Sequence, residues 1–415
     1  MYLGVIQIKI LNFGSCNIDY VYSLDHIVRI GETQSTHKLE LFPGGKGLNQ
    51  SIAISRAGCK VFHAGCIGYD GKLLIDTLSE NGVDISYVRS VDEKNGHAVI
   101  QVSDKGENSI FLYGGSNEAV TESFIDEVLL DFSDGDILVL QNEITNVPYL
   151  VKKAYAKGMQ IVFNPSPFDE SLKKIDLSML SYLVLNEIES FELSGYEAPE
   201  TALSYFKDKF PDLKIIITLG GEGSIYGDSE QQIYQRAFMT DVVDTTAAGD
   251  TFTGYFVAGL ALWESVARSL EMASAAASIA VSKKGAAPSI PYRGEVDAAL
   301  QRPRYKNETK KELAYARIMA YVRDNTKDGS LAELAKILNY SVVYTGTLVK
   351  KYTDKTFSEL LQAERLALAA ELLKKSTMSV SDIITHVGYE NRSFFRRKFK
   401  EIYGFNPLEY RNMRD

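Results

Sequence analysis

The sequence predicts an α/β fold, a doubly wound and mostly parallel sheet with a small β lid, followed by an all-α tandem helix-turn-helix domain. Three observations lead there. Short runs rich in Ile, Val and Leu alternate with amphipathic stretches from residue 10 to about 300. Every segment beyond the polar stretch QRPRYKNETKKE (301–312) has helical periodicity. The charge also changes sign: residues 1–300 carry a net −17 and residues 301–415 a net +8. A chain of 415 residues exceeds one ordinary core, so the polar stretch is taken as a linker. The expected division is 1–301, linker 302–312, and 313–415.

The elements follow in order. MYLGVIQIKIL alternates like a strand, without a basic leader or a small-residue cleavage site. No apolar run reaches the roughly 18 residues that a membrane helix needs, so a cytoplasmic protein with no membrane partner is expected. ILNFGS (10–15), DILVLQN (136–142), QIVFNPS (160–166), YLVLNE (182–187) and KIIITLG (214–220) read as buried strands, each ending in polar or small residues. VPYLVKKAYAKG and PETALSYFKDKF read as helices stopped by Gly or Pro. Such alternation implies a parallel sheet covered on both faces, with ligands at the carboxyl ends of its strands. Residues 20–42 and 96–115 break the rhythm and read as antiparallel strands of a small sheet that could cover a site. Cys16, Cys59 and Cys66 form no CxxC pair and read as small buried residues of a reduced compartment. The histidines show no zinc spacing.

DTTAAGDTFTGYFVAGL (244–260) carries the most chemistry. Ala247, Ala248 and Gly249 precede a helix whose first N–H groups are unpaired and favour negative charge. Asp250 stands at that mouth, placed to take a proton from a hydroxyl; a carboxylate there is also an ordinary helix cap. In FPGGKGLNQ (42–50) a Gly-Gly turn opens a helix and lets backbone approach a polar ligand. It is not a Walker A loop. TLGGEG (218–223) follows a strand and offers amides to a phosphate, and GSCNID (14–19) sets Asn17 and Asp19 after the first strand, suited to hydroxyls.

With GSCNID, GGKGLNQ, NPSP, NEIE, TLGGEG, DTTAAGDTF and AAASIAVSKKGAAPSIP in this order and spacing, residues 10–300 resemble the ribokinase (PfkB) family of sugar kinases. The resemblance implies that Asn17, Asp19, Gly45, Lys46, Gly47, Asn49 and Glu143 bind a sugar. It implies Asp250 as general base, with Ala247, Ala248 and Gly249 as the anion hole. Asn186 and the loop Thr218, Gly220, Gly221 and Gly223 would contact ATP. Glu189 would act on Mg2+ through water. Asp244, Thr246, Ala280, Lys283, Gly285 and Ser289 match positions that ligate a monovalent cation such as K+, mostly by main-chain carbonyls. The interrupting strands match the family's lid, which pairs two subunits, so a homodimer is expected. Ser274 departs from the family, which often has a larger side chain near the adenine. Ribose or a related pentose is the implied substrate, with deoxyribose, a nucleoside or fructose left open.

The basic part repeats weakly at an offset of 49: Leu331, Leu334, Leu338 and Tyr340 match Val380, Ile383, Val387 and Tyr389. Each copy reads as helix, turn, helix. In a helix starting near Asn391, Phe395, Phe399 and Ile402 share one face and are expected in the core. Arg392, Arg396 and Lys400 share another and suit a major groove, while Arg397 and Lys398 suit phosphates. VGYENRSFFRRKFKEIYGFNPLEYR (387–411) makes residues 315–411 resemble the AraC-type DNA-binding domain, implying double-stranded DNA as partner. The first unit departs: SVVYTGTLVKKYT has no arginines, so Lys350, Lys351 and the valines would contact backbone or thymine methyls. Gly346 weakens that helix by about 1 kcal/mol relative to alanine. The whole is expected to be a sugar kinase fused to a regulator of sugar-use genes; the alternative is a catalytically silent sugar sensor.

Overall fold

The computed structural model describes residues 8–301, 318–319, 321–323, 325–338, 341–376, 378–389 and 391–412, except 106, 170, 171 and 173. The chain divides into two compact units, Met1–Arg304 and Tyr305–Asp415. Residues 1–7 of the first alternating run, the expected linker 302–312 and Tyr340 of the repeat lie outside the described residues.

In the first unit nine strands form one sheet in the order β13 (Gln232–Arg236), β12 (Gly223–Gly227), β11 (Lys214–Thr218), β10 (Tyr182–Asn186), β9 (Gln160–Asn164), β8 (Ile137–Gln141), β1 (Ile10–Phe13), β4 (Val61–Ile67) and β5 (Asp84–Ser90). Pairing is parallel from β11 through to β5, and β12 and β13 add an antiparallel edge. The five runs read as buried strands are β1, β8, β9, β10 and β11. Alternation along β1 sends Ile10 into one apolar layer and Leu11 and Phe13 into the other. Helices Lys46–Arg56, Ala248–Ala261 and Val266–Val281 cover the first layer, and Glu122–Leu129, Val147–Ala156 and Pro199–Lys209 the second. Each fully buried Ile, Leu or Phe contributes about 1.5–3 kcal/mol. Both layers therefore hold the strand ends, where the polar residues sit, in fixed positions.

The lid is a separate sheet, β3 (Lys38–Gly44), β2 (Asn17–Leu24), β6 (His97–Ser103) and β7 (Asn108–Tyr113). β2–β3 and β6–β7 are antiparallel, but the two halves join through a parallel β2–β6 pair, which corrects the all-antiparallel expectation. A long excursion through the main sheet separates β2 from β6, so no hairpin constrains their direction.

The second unit contains helices Leu331–Leu338, Val342–Thr353, Phe357–Lys375, Val380–His386, Arg392–Tyr403 and Pro407–Asn412. The repeat shows in its packing. Leu334 and Leu338 join Val349 and Phe357 in one core, and Ile383 and Val387 join Phe395 and Phe399 in another. Helix Phe357–Lys375, opened by a Thr356–Glu359 capping box, supplies Leu360 and Leu361 to the first core and Leu366 and Leu373 to the second. Ile402, expected in that core, is 58% exposed. Tyr403 takes its place, 4.6 Å from the Phe399 ring. With 3.6 residues per turn, positions i+7 and i+8 lie either side of the same line. Tyr410 of the last helix, packed on Phe399 and Tyr403, selects the second.

Candidate active site and nucleic-acid interface

The carboxyl ends of β1, β8, β9, β10 and β11 lie along one edge of the main sheet, and the helix Ala248–Ala261 opens toward helix Lys46–Arg56 there. Ala247 caps it in a left-handed conformation, φ 59°, which costs a non-glycine residue about 1–3 kcal/mol. Asp250 sits in the first turn and is buried. Asn49 Nδ2 donates to its Oδ2 and Gln50 Nε2 to its Oδ1, both at 3.0 Å. The N–H groups of Ala247, Gly249 and Asp250 find no acceptor among the described residues, whereas Ala248 N–H reaches Thr245 O at 3.3 Å. Of the three small residues expected to form the anion hole, Ala248 alone spends its N–H on a neighbouring carbonyl, and Ala247 and Gly249 keep theirs open beside that of Asp250.

The GGKG turn meets this helix from the other side. Gly45 has φ 92°, and a Cβ on Gly47 would collide with the Ser15 backbone, so these two positions require glycine. A Cβ on Gly44 would collide with the Asp19 carboxylate. Glu143 accepts from Ser15 Oγ and, at 3.0 Å, from Lys46 N–H. Asn17 accepts from Asn117 Nδ2 at 2.7 Å. A cavity of about 340 Å3 opens between these groups and the lid, lined by Asn17, Asn117, Glu143, Asn142 and Tyr113. Its size is that of a small-molecule pocket. Asp19, Lys46 and Asp250 do not line it. The Asn49 amide oxygen is buried without a partner among the described residues, an acceptor available to a ligand hydroxyl.

The charges are mutually coupled. Burial raises the Asp19 carboxyl to about 7, helped by Glu143 and Asp250. Burial also raises Glu143, partly offset by Lys46 and the Ser15 hydrogen bond. Burial works against the Lys46 charge, but Asp250, Glu143 and Glu189 more than offset it, and the ammonium is held above its ordinary range. Lys46 therefore feels the carboxylates of Asp250, Glu143 and Glu189 together.

At the carboxyl end of β10, Asn186 caps helix Glu187–Ser194. Its side chain accepts from Glu189 N–H at 2.8 Å, and Glu189 Oε2 accepts from Asn186 N–H at 2.9 Å. The NxxE pattern is thus a capping box. Thr218 Oγ1 donates to Leu185 O at 3.2 Å. Leu219 N–H closes the following turn on Gly223 O, with Gly220 and Gly223 at positive φ and Gly221 between them. Ser274 Oγ donates to Arg236 O at 3.0 Å, which ties helix Val266–Val281 to β13 and commits the hydroxyl.

Two metal sites were expected. Among the described residues no group of three or more His, Cys, Asp and Glu could hold an ion. A lone Glu189 fits Mg2+ that keeps its waters and is held chiefly by substrate phosphates. Around the proposed monovalent site, Thr246 N and Oγ1 bond Asp244 Oδ1, and Gly285 N bonds Asp244 Oδ2. Burial opposes the Asp244 charge, yet these bonds hold its carboxyl below the ordinary range. The Lys283 ammonium pairs with Glu295 and Ser289 Oγ bonds Ala286 O, while Ala280 O accepts from Lys283 N–H. The side chains are committed, which fits a cation held by main-chain carbonyls.

In the second unit Asn391 caps helix Arg392–Tyr403 through Phe394 N–H at 2.9 Å. Arg392, Arg396 and Lys400 are exposed along one face, with no acidic partner among the described residues. Lys398 pairs with Glu401 at 2.6 Å and Arg397 lies 3.9 Å from the same carboxylate, exposed contacts that add little stability. In the first copy Val342, Val343 and Tyr344 are exposed at the start of their helix, and Lys350 and Lys351 at its end. No helix among the described residues is long and apolar enough to cross a membrane.

The sequence motifs assign no role to Gln50, Gln141 or Asn117. Only the polar end of DILVLQN and the GGKGLNQ turn hinted at the glutamines.

A doubly wound sheet with a covered cleft, a carboxylate at a helix mouth and a tandem helix-turn-helix unit define a small-molecule phosphotransferase joined to a DNA-binding domain. Residues 7–293 match the pfkB family carbohydrate kinase model and residues 334–413 a helix-turn-helix domain. The chain belongs to the pfkB family of carbohydrate kinases and carries an AraC-type helix-turn-helix domain at its C-terminal end. It is 35% identical over 292 residues to a ribokinase of Haemophilus influenzae, covering 68% of this chain and 95% of the relative. Ribokinase of Arabidopsis thaliana complexed with ribose and ATP superposes with a TM-score of 0.65 at 30% identity, over 71% of this chain and 99% of that one. Ribokinase of Cryptococcus neoformans in complex with ADP gives 0.64 at 34%, over 70% and 99%.

Proposed function

We propose that the chain transfers the γ-phosphoryl group of ATP to the primary hydroxyl of ribose or a related pentose, and that its second unit binds double-stranded DNA to control sugar-use genes. Residues 1–301 are the kinase, 302–312 the linker and 313–415 the DNA reader. The observation that carries the reading is Asp250, held at a helix mouth by Asn49 and Gln50 beside the coupled Lys46 and Glu143.

Asn17, Asp19, Gly45, Lys46, Gly47, Asn49 and Glu143 hold the sugar hydroxyls. Asp250 takes the proton of the primary hydroxyl while that oxygen bonds to the γ-phosphorus and the bond to the β-phosphate oxygen breaks. The open N–H groups of Ala247, Gly249 and Asp250 face the charge that grows on the transferred group. Lys46 spans the sugar and phosphate sides. Asn186 and the turn Thr218–Gly223 position the nucleotide, because phosphoryl transfer needs placement more than covalent help. Mg2+ bound with ATP supplies neutralisation of phosphate charge, and Glu189 would hold it through water. K+ would sit against the Asp244–Gly285 loop.

A homodimer through the lid belongs to the same reading. All six residues of β7 are exposed, with Ile110, Phe111, Leu112 and Tyr113 in sequence, and Leu39 and Leu41 of β3 are exposed too. An apolar open sheet of this kind is normally covered. ADP release measured across a pentose and hexose panel tests the enzyme reading. Turnover with ribose or a close pentose supports it; no turnover with any pentose refutes it.

A further inference from the structure

Behind Asp250, and beyond its contact with Gln50, runs a chain of buried side chains to which the reaction above gives no role. Gln50, Gln141, Asn12, Ser51 and His63 have no exposed surface. Gln141 Nε2 donates at 2.7 Å to Gln50 Oε1 and at 3.0 Å to Asn12 Oδ1. Gln50 Nε2 in turn donates to Asp250. On the other branch Asn12 Nδ2 donates to Ser51 Oγ at 2.8 Å, Ser51 Oγ lies 2.8 Å from His63 Nδ1, and His63 Nε2 lies 3.2 Å from Cys16 Sγ.

The polarity of this chain is fixed from its charged end. An ionised carboxylate only accepts, so Gln50 must present its NH2 to Asp250 and its oxygen to Gln141. Gln141 must then present NH2, and both of its hydrogens are used, one on each branch. On the far branch Ser51 Oγ accepts from Asn12 and shares a second hydrogen bond with His63 Nδ1, whose direction follows the His63 tautomer. Burial holds the His63 pKa down near 4, which leaves a neutral ring between Ser51 and Cys16. The Gln141 oxygen has no partner among the described residues and sits against Gly14, where a Cβ would collide with it. An amide that leaves its own acceptor unsatisfied in order to spend both donors is held by its neighbours' needs.

We infer that Gln141 is a positioning residue of the kinase reaction: through Gln50 it fixes the rotation of the Asp250 carboxylate, while touching neither substrate itself. This rests on the reading of Asp250 as the base. It also explains why the strand end DILVLQN finishes in an amide beside an apolar core.

The test uses the full chain. Gln141→Met keeps the length and loses the amide; it is compared with wild type, Gln50→Met and the double variant, with kcat and both KM values followed by ADP release. The expected result is a kcat at least tenfold lower in Gln141→Met, with KM for ribose and ATP within twofold. Added to Gln50→Met, the same change should lower kcat by less than a further twofold, because both act along one path. Wild-type kcat in Gln141→Met overturns the inference, as does a second tenfold loss in the double variant. Should Gln141→Met fail to fold, Gln141→Leu serves for the same cycle. Full turnover by Asp250→Asn overturns the base reading and this inference together, whereas an inactive Asp250→Asn beside a fully active Gln141→Met overturns the positioning role alone.

Discussion

Asn49 and Asp250 are 201 residues apart in sequence, and the amide of one donates to the carboxylate of the other at 3.0 Å. That bond joins the glycine turn beside β3 to the mouth of the helix Ala248–Ala261. It brings the groups assigned to the sugar and the group assigned to its proton into one buried cluster. Since the Asn49 oxygen is left without a partner among the described residues, the same side chain can meet a hydroxyl and orient the carboxylate beside it.

The absence of a side chain at Gly44 makes room for Asp19. Gly44→Ala should push that carboxylate aside and raise KM for the sugar about tenfold or more, equivalent to about 1.4 kcal/mol, while KM for ATP stays unchanged. Steady-state kinetics with each substrate varied decides it; an unaltered sugar KM would show that Asp19 does not hold the sugar.

Asp19 also predicts a pH dependence. Its carboxyl is raised from 3.8 to about 7, by burial first and then by Glu143 and Asp250. Between those values the folded protein keeps a proton that the unfolded chain has lost. The stability due to the protonated group is complete below about pH 4 and lost as the pH rises through 7. Melting of the sugar-free protein should therefore fall between pH 5 and 7.5, and the slope should flatten in Asp19→Asn. Parallel curves for the two proteins would exclude it.

How far the sequence reached can be judged from individual positions. The five buried strands, the two-part lid and the helix mouth at Asp250 were legible, because period-2 and period-3.6 patterns and glycine turns are local signals. Asn49 bonds Asp250, and Asp19, Glu143 and Asp250 lie near enough for their charges to act on one another. The Gln141–Gln50 contact was not legible, since it depends on which face of β8 meets helix Lys46–Arg56 and no local pattern encodes that. Ile402 and Tyr403 were ambiguous for a related reason. One helix face tolerates either, and Tyr410, seven residues further along, decides.

Within the second unit the exposed arginines and lysines should divide by task. Arg396→Ala should relax sequence preference by about 1–3 kcal/mol at one base position. Lys350→Ala should weaken all sequences alike and reduce the salt slope by about one. Gel shifts on a set of single-base variants at two salt concentrations separate them, and the opposite pattern would reverse the assignment.

Phe399 is fully buried and touches the rings of Phe395, Tyr403 and Tyr410. Phe399→Ala should cost about 3–5 kcal/mol, enough to unfold a small helical core. DNA affinity should collapse while ADP release remains at the wild-type rate, because the kinase unit has its own apolar layers. Loss of both activities would show that the units do not fold separately.

The most direct measurement is ADP release by the purified full chain with ribose and ATP, wild type beside Asp250→Asn. The substitution keeps the shape of the side chain and removes its charge. A kcat lower by about 10²–10⁴-fold, with a folded protein that still binds ribose, is the predicted result. Equal turnover by the two proteins would contradict the assignment of Asp250 as the base.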